Sequence, residues 1–103
     1  MGKQIKIREI KWDTSALRAF ISILDWIKQD SPTNAKRVKT RVTNLIKAIP
    51  SNPEMYREDE LKLDNDGTFR VFNQDRIRVS YKIDSDSIII ARVRHSSQEP
   101  IVF

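Results

Sequence analysis

Residues 68–95, TFRVFNQDRIRVSYKIDSDSIIIARVRH, carry the clearest sign of the fold. Three runs in this stretch are typical of strands, at residues 68–73, 76–83 and 87–95, and apolar and polar residues alternate along the second. The runs are separated by Asn73-Gln74-Asp75 and by Asp84-Ser85-Asp86, which are residue types typical of tight turns. We therefore predict three consecutive strands that form an antiparallel meander.

Two amphipathic helices are expected before this meander. The side chains of Asp13-Thr14-Ser15 can cap a first helix over about residues 14–29, where apolar residues recur every three or four positions. Ser31 and Pro32 then start a second helix over about residues 32–49. The break between them is short, which predicts an antiparallel hairpin. The polar side of the second helix carries five cations: Lys36, Arg37, Lys39, Arg41 and Lys47.

The remaining segments complete an α+β fold. Ile5, Ile7 and Ile10 indicate an N-terminal strand, and the polar connection from Pro50 to Gly67 is expected to hold one short element around Leu61-Lys62-Leu63. The order predicts an N-terminal strand, a helical hairpin and a three-stranded antiparallel meander, with the helices on one sheet face. We expect one domain over residues 1–103, and we expect function on the other, partly free sheet face.

Composition excludes several classes of function. The chain has no cysteine and one histidine, which argues against disulfides, thiolate chemistry and a metal site. Two glycines are too few for a phosphate-binding glycine loop. No signal peptide or membrane span is apparent, so the cytoplasm is the expected compartment. A net charge of +5 and a pI of about 9.7 favour an anionic partner or simply aid solubility.

Five arginines occur within 25 residues of the predicted strands. They are Arg70, Arg76, Arg78, Arg92 and Arg94. Strand alternation places Arg76 and Arg78 on one face, and it likewise pairs Arg92 with Arg94. A guanidinium binds phosphate or carboxylate as a planar fork. This face can therefore bind an RNA backbone or a carboxylate-rich peptide, or it can be an ordinary solvated face with surface ion pairs.

Other residues with possible chemistry have two interpretations each. His95, at a strand end, could transfer protons near neutral pH or could simply be packed there. The run Glu58-Asp59-Glu60 could supply a general base or form a solvated loop. Tyr81 shares its predicted face with apolar residues and is expected in the core, while Trp12 and Trp26 are expected to pack between helix and sheet.

The ordered motifs resemble the RelE/ParE superfamily of type II toxins. The resemblance rests on four segments: residues 30–35 (DSPTNA), 65–72 (NDGTFRVF), 76–83 (RIRVSYKI) and 90–100 (IARVRHSSQEP). It implies a growth-arresting toxin that a cognate antitoxin neutralises by folding over its basic surface. RelE-like and YoeB-like members cut messenger RNA on the ribosome, whereas ParE-like members poison DNA gyrase and are not nucleases.

The resemblance also implies roles for particular residues. Arg78 falls where the nuclease members have an arginine on this strand, and His95 falls near the C-terminal histidine of the YoeB-like members, so the resemblance implies catalytic roles for both. Nucleic-acid-binding or antitoxin-binding roles are expected for four others: Arg70, Arg76, Arg92 and Arg94. No cofactor, metal or small-molecule ligand is expected. Ser96 stands where those nucleases have a tyrosine, and the tail from Ile101 to Phe103 has none. The resemblance does not distinguish messenger RNA from DNA gyrase as the target. The alternative is a non-catalytic binding module, or a degenerate toxin that only binds antitoxin or RNA.

Overall fold

The computed structural model describes residues 7–103. Its elements, in chain order, are β1 (Glu9–Trp12), α1 (Thr14–Asp30), α2 (Pro32–Ala48), a 3₁₀ turn (Ile49–Ser51), β2 (Arg57–Glu58), β3 (Phe69–Gln74), β4 (Ile77–Ile83) and β5 (Ser87–His95). The predicted N-terminal strand exists but begins later than expected. Ile5, which was assigned to it, lies outside the described residues.

The five strands form one sheet in the order β1-β5-β4-β3-β2. β3, β4 and β5 are the predicted antiparallel meander, and β1 pairs with β5 in parallel at the edge. At the opposite edge, two residues of β2 pair with β3. These elements confirm the predicted α+β class. The short element was misplaced, because the strand lies at Arg57–Glu58 while residues 61–63 form turns.

Capping residues set the helix ends as the sequence predicts. The Asp13 carboxylate accepts the Ser15 amide at 3.1 Å, and the Ser31 hydroxyl accepts the Asn34 amide at 3.1 Å. Pro32 occupies the first turn of α2, where its missing N–H costs no hydrogen bond. The hairpin therefore has one residue, Ser31, between its helices.

The core lies between the hairpin and one face of the sheet. Helix residues Phe20, Val42 and Ile46 pack against fully buried strand residues, of which Val79 and Ile88 are examples. Each such side chain stabilises the fold by about 1.5–3 kcal/mol through its removal from water. Tyr81 is fully buried in this core, as predicted.

The two tryptophans differ in their surroundings. Trp12 stacks on Phe20 with ring centroids 5.6 Å apart, which confirms its predicted packing role. Trp26 is 55% exposed, so its predicted burial between helix and sheet is wrong. It contacts the His95 ring edge-on at 5.1 Å instead.

A β-bulge in β5 decides where its arginines point. Tyr81 of β4 pairs with Ile90, but the preceding Ser80 pairs with Arg92, which leaves Ala91 without a partner in the register. In an unbroken strand, Arg92 would follow Ile90 onto the core face, because side chains alternate. The extra residue shifts the alternation by one position. The Val93 side chain therefore lies in the core, and the side chains of Arg92 and Arg94 face away from the helices.

The sheet face opposite the helices is largely covered by the chain itself. The Phe103 amide donates to the Leu61 carbonyl at 2.9 Å, and the Leu63 amide donates to the Phe103 carbonyl at 2.5 Å, so the tail pairs with the loop before β3. Val71 and Ser80 are buried beneath this cover. The free face expected from the sequence is therefore reduced to one end of the sheet. No helix within residues 7–103 is long and apolar enough to cross a membrane.

Candidate functional site

A cleft of about 280 Å³ lies where β3, β4 and β5 reach the uncovered end of the sheet. We call it the arginine cleft. Ten residues line it: Glu60, Leu61, Asn73, Arg76, Arg78, Arg94, His95, Ser96, Gln98 and Pro100. Four of the six residues predicted from the sequence meet here, and Arg70 and Arg92 do not.

Arg78 is held by carboxylates of the loop that follows β2. Its Nη2 donates to the Asp59 carboxylate at 2.5 Å, and its Nη1 donates to Glu60 at 3.1 Å. The Asp59 side chain is fully buried, and it also accepts the Ser80 hydroxyl at 2.5 Å and the Leu61 amide at 3.0 Å. The Arg78 guanidinium is therefore neutralised within the chain, and its side chain is only 18% exposed.

Arg94 is less completely engaged than Arg78. The two residues pair directly across β4 and β5, so two like charges lie side by side. One guanidinium nitrogen of Arg94 donates to the Glu99 carbonyl at 3.0 Å. Its Nε is buried and has no hydrogen-bond partner among residues 7–103. The Nε cannot reach an incoming anion, but the Nη donors of Arg94 that Glu99 does not use remain available to bind one.

Arg76 does not lie on β4, contrary to the predicted alternation with Arg78. Asp75 and Arg76 form the tight turn before the strand, with φ values of 53° and 64°. Such values at both central positions are typical of the hairpin turns that match strand twist. The Arg76 carbonyl accepts the Ser96 amide at 2.8 Å, and its side chain is exposed at the cleft rim.

Arg70 and Arg92 are used elsewhere in the fold. Arg70 donates to the carbonyls of Gly67 and Tyr56, both at 3.1 Å, on the sheet face that carries Tyr81. The Arg92 guanidinium lies 4.5 Å from the centre of the Phe103 ring, under the tail. The expectation that all five arginines share one surface is therefore wrong, since turn geometry and the tail separate them.

His95 lies at the cleft but its ring faces α1. Strand alternation turns it away from its neighbour Arg94, and the ring contacts Trp26. The Ser97 amide donates to its Nδ1 at 3.1 Å, which leaves Nε2 to carry the proton of the neutral ring. His95 can therefore donate a hydrogen bond from Nε2, but it does not point with Arg78 toward one reacting atom.

The cleft has neither a strong base nor a tyrosine. Hydrogen bonding to its own backbone amide, and then the hydrogen bond from Arg78, lower the pKa of Glu60 to about 2. So acidic a carboxyl is a weak general base at neutral pH. Burial raises the pKa of Tyr81 to about 12, and its hydroxyl donates to the Pro53 carbonyl at 2.7 Å, away from the cleft.

Sequence reasoning missed the partners of Arg78. The acidic run at residues 58–60 was expected to be a solvated loop or a source of a base, but Asp59 is among the most buried residues. One signal could have indicated this contact. Ser80 is a polar residue near the middle of a strand that is expected to be buried, and a buried hydroxyl needs a hydrogen-bond partner. No group of three metal-ligating side chains occurs within the described part of the chain.

A second and larger cavity lies between α1 and α2, beside Trp12 and Asp25. We call it the hairpin groove; its volume is about 770 Å³. Leu17 and Ile21 of α1 line it and are 40% and 50% exposed. Lys28, Lys36 and Lys39 lie at its rim. Exposed apolar area surrounded by lysines is typical of a surface that binds another protein.

Comparisons with known proteins agree with these elements. The family described as "ParE toxin of type II toxin-antitoxin system, parDE" matches residues 10–100. A solved structure of the chromosomal ParDE TA system from P. aeruginosa has the same fold, with a TM-score of 0.68 and 13% sequence identity, over 88% of this chain and 98% of that one. Curated proteins give no match. The resemblance found in the sequence is thus confirmed, and the chain belongs to the ParE toxin family of type II toxin–antitoxin systems.

Proposed function

We propose that this chain is a toxin that arrests bacterial growth by acting on DNA gyrase without cutting RNA. Residues 1–103 form one toxin domain in this proposal, and it works in the cytoplasm. The match to the ParE toxin family supports gyrase as the target, and the buried ion pair between Asp59 and Arg78 is the observation that argues against RNA cleavage. An arginine already neutralised by two carboxylates cannot also stabilise a phosphate during cleavage, so the residue most needed by a nuclease is committed to the fold.

The remaining cleft residues support binding better than catalysis. RNA cleavage through a 2′-hydroxyl needs a base, a cation near the phosphate and an acid for the leaving oxygen. Glu60 is too acidic to be an effective base, and neither tyrosine lines the cleft. Arg76 and Arg94 keep donors free for a carboxylate or phosphate, so we assign them to target binding.

A second candidate function is messenger RNA cleavage on the ribosome. It is favoured by one observation, which is that Arg94 and His95 line the same cleft as Glu60. In this alternative, a target would have to draw Arg78 away from Asp59 and turn His95 toward the arginines. The catalytic roles of Arg78 and His95 then stay predictions that depend on a change of conformation.

We propose that the hairpin groove is the binding site of a cognate antitoxin. Leu17 and Ile21 offer apolar contacts, and three lysines surround them. An amphipathic helix with leucine-like residues on one side and carboxylates beside them would complement this surface. Burial of these exposed side chains would supply affinity, while the lysines would favour an acidic segment over a neutral one.

Controlled expression in bacteria tests the toxin role and the RNA question together. The chain should stop growth, and co-expression of an antitoxin encoded beside it should restore growth. Primer extension on abundant messages should show no new cleavage sites during the arrest. Normal growth with confirmed soluble, folded protein contradicts the toxin role, whereas arrest with new codon-dependent cleavage supports the second candidate.

A further inference from the structure

The excess positive charge of the chain lies on one helix. The chain has 19 Lys and Arg against 14 Asp and Glu, which gives its net charge of +5. α2 contains five cations and no carboxylate. It therefore accounts for the whole excess, and the rest of the chain is balanced. We call its cations the basic face of α2: Lys36, Arg37, Lys39, Arg41 and Lys47.

The arginine-rich strands, by contrast, are not a positive surface overall. Residues 57–99 contain eight Lys and Arg but nine Asp and Glu. Arg78 is paired with Asp59 and Glu60, and Arg92 lies under the Phe103 ring. A large anion approaching this molecule is consequently attracted to α2 more than to the sheet.

The basic face is exposed along the length of the helix. All five cations are exposed, while the opposite stripe, which includes Val38 and Val42, is buried in the core. Arg41 pairs with Asp75 at 3.0 Å; within residues 7–103 the other four cations form no salt bridge. Lys36 and Lys47 are separated by about 16 Å along the helix axis, at a rise of about 1.5 Å per residue.

Lys36 and Lys39 border the hairpin groove, whereas Arg37, Arg41 and Lys47 lie outside it. Outside the groove, the chemistry of this face fits phosphates better than a protein. Protein interfaces depend on large apolar or aromatic anchors. None of the exposed large hydrophobic residues in the described part of the chain lies on α2. Thr33, Thr40 and Asn44 stand among the cations instead, and all three are exposed. A duplex carries about one phosphate charge per 1.7 Å of its axis when both strands are counted, so a length of about 16 Å holds roughly nine charges, of which the helix faces a part.

We infer that the basic face of α2 binds the phosphate backbone of a nucleic-acid duplex. The contact is electrostatic and independent of base sequence, because the face offers no side chain held rigidly toward base edges. This contact would hold the toxin on a nucleic acid whatever its target is. The inference therefore does not depend on the proposed gyrase target.

Fluorescence anisotropy of the purified chain with a labelled 20-base-pair duplex tests this. K36Q/R37Q/K47Q removes three cations of the face, and K11Q/R18Q/R57Q removes three exposed cations that lie neither on α2 nor in the hairpin groove, so both variants have the same net charge. Glutamine keeps helix propensity, and circular dichroism verifies folding. We expect the α2 variant to bind at least about tenfold more weakly at 0.1 M salt, with a log–log salt slope lower by about 2–3, and the control to lose less than about threefold.

A DNA duplex and an RNA duplex are tested separately. Binding to either one supports the inference, and the duplex that binds more tightly is the kind of nucleic acid that the face prefers. Three results overturn it. One is no detectable binding to either duplex at 50 mM salt; another is an equal loss of affinity in the two variants. The third is competition by poly-glutamate as effective as competition by a duplex of equal charge, which would assign the face to an acidic protein.

Discussion

The buried carboxylate of Asp59 joins the Arg78 guanidinium at 2.5 Å and so fastens the loop after β2 to the middle of the sheet. The same carboxylate accepts the Ser80 hydroxyl and the Leu61 amide, so three donors depend on one acidic side chain. The loop in turn carries the backbone that pairs with the tail at Phe103. One ion pair therefore holds the covered sheet face together.

Asp59→Ala should destabilise the fold by about 3–5 kcal/mol, because Arg78 keeps only the exposed Glu60 as a partner and the buried Ser80 hydroxyl loses its acceptor. Urea unfolding followed by circular dichroism measures this loss. Glu58→Ala is the matched control, since Glu58 is an exposed carboxylate one position away. We expect it to cost less than about 0.5 kcal/mol. Equal losses in the two variants would show that the Asp59–Arg78 pair does not stabilise the loop.

The pH dependence of stability should include a contribution from Glu60. Its pKa in the folded chain is lowered to about 2, from an ordinary value of 4.5. The stability it contributes is therefore complete above about pH 5 and is lost as the pH falls toward 2. Glu60→Gln should lower the urea midpoint at pH 6 more than at pH 2.5. The effect should be small, since the Glu60 side chain is 56% exposed. A constant difference across this range would contradict the assignment.

Much of the fold could be predicted because local signals agreed with one another. Capping by Asp13 and Ser31, the apolar periods of both helices and the turn residues between strands all indicated the same architecture. The bulge at Ala91 could not be predicted, since nothing in IIIARVR marks which residue loses its partner. The turn at Arg76 could not be predicted either, because arginine seldom adopts a positive φ.

The site was less predictable than the fold because it depends on contacts between distant segments. The pairing of Arg78 with Asp59 spans 19 positions, and the stacking of Phe103 on Arg92 needs the tail to fold back. Strand alternation can assign a side chain to a face. It cannot tell whether a loop later covers that face.

Deleting Ala91 should leave a folded chain in which Arg92 and Arg94 still face away from the helices, because Arg92 would then follow Ile90 directly and regular alternation would turn it outward. Deleting Ile89, which has a partner in the register, is the contrast, because alternation would then move either Ile88 or Ile90 out of the core. We expect this second deletion to cost at least about 3 kcal/mol, since it removes a large buried side chain from a small core. Soluble yield and near-ultraviolet circular dichroism distinguish the two variants. Equal loss of folding in both would mean that Ala91 is not the residue that shifts the alternation.

Leu17→Glu and Ile21→Glu should weaken antitoxin binding and leave growth arrest intact. A carboxylate in the hairpin groove would lose apolar contact and repel an acidic partner. Co-expression with the antitoxin should then fail to restore growth, and titration of the purified proteins should show at least about tenfold weaker binding. Met55→Glu changes an equally exposed apolar residue outside the groove and should be neutralised normally. Full neutralisation of both groove variants would show that the antitoxin binds at another surface.

We propose that this toxin acts on gyrase and not by cutting RNA. A supercoiling assay with purified gyrase, relaxed plasmid and increasing amounts of the purified chain, run beside His95→Ala, tests the proposed target. We predict that both proteins abolish supercoiling at similar concentrations, since we assign His95 no catalytic role. Unchanged supercoiling, together with cleavage of ribosome-bound message that His95→Ala abolishes, would contradict it.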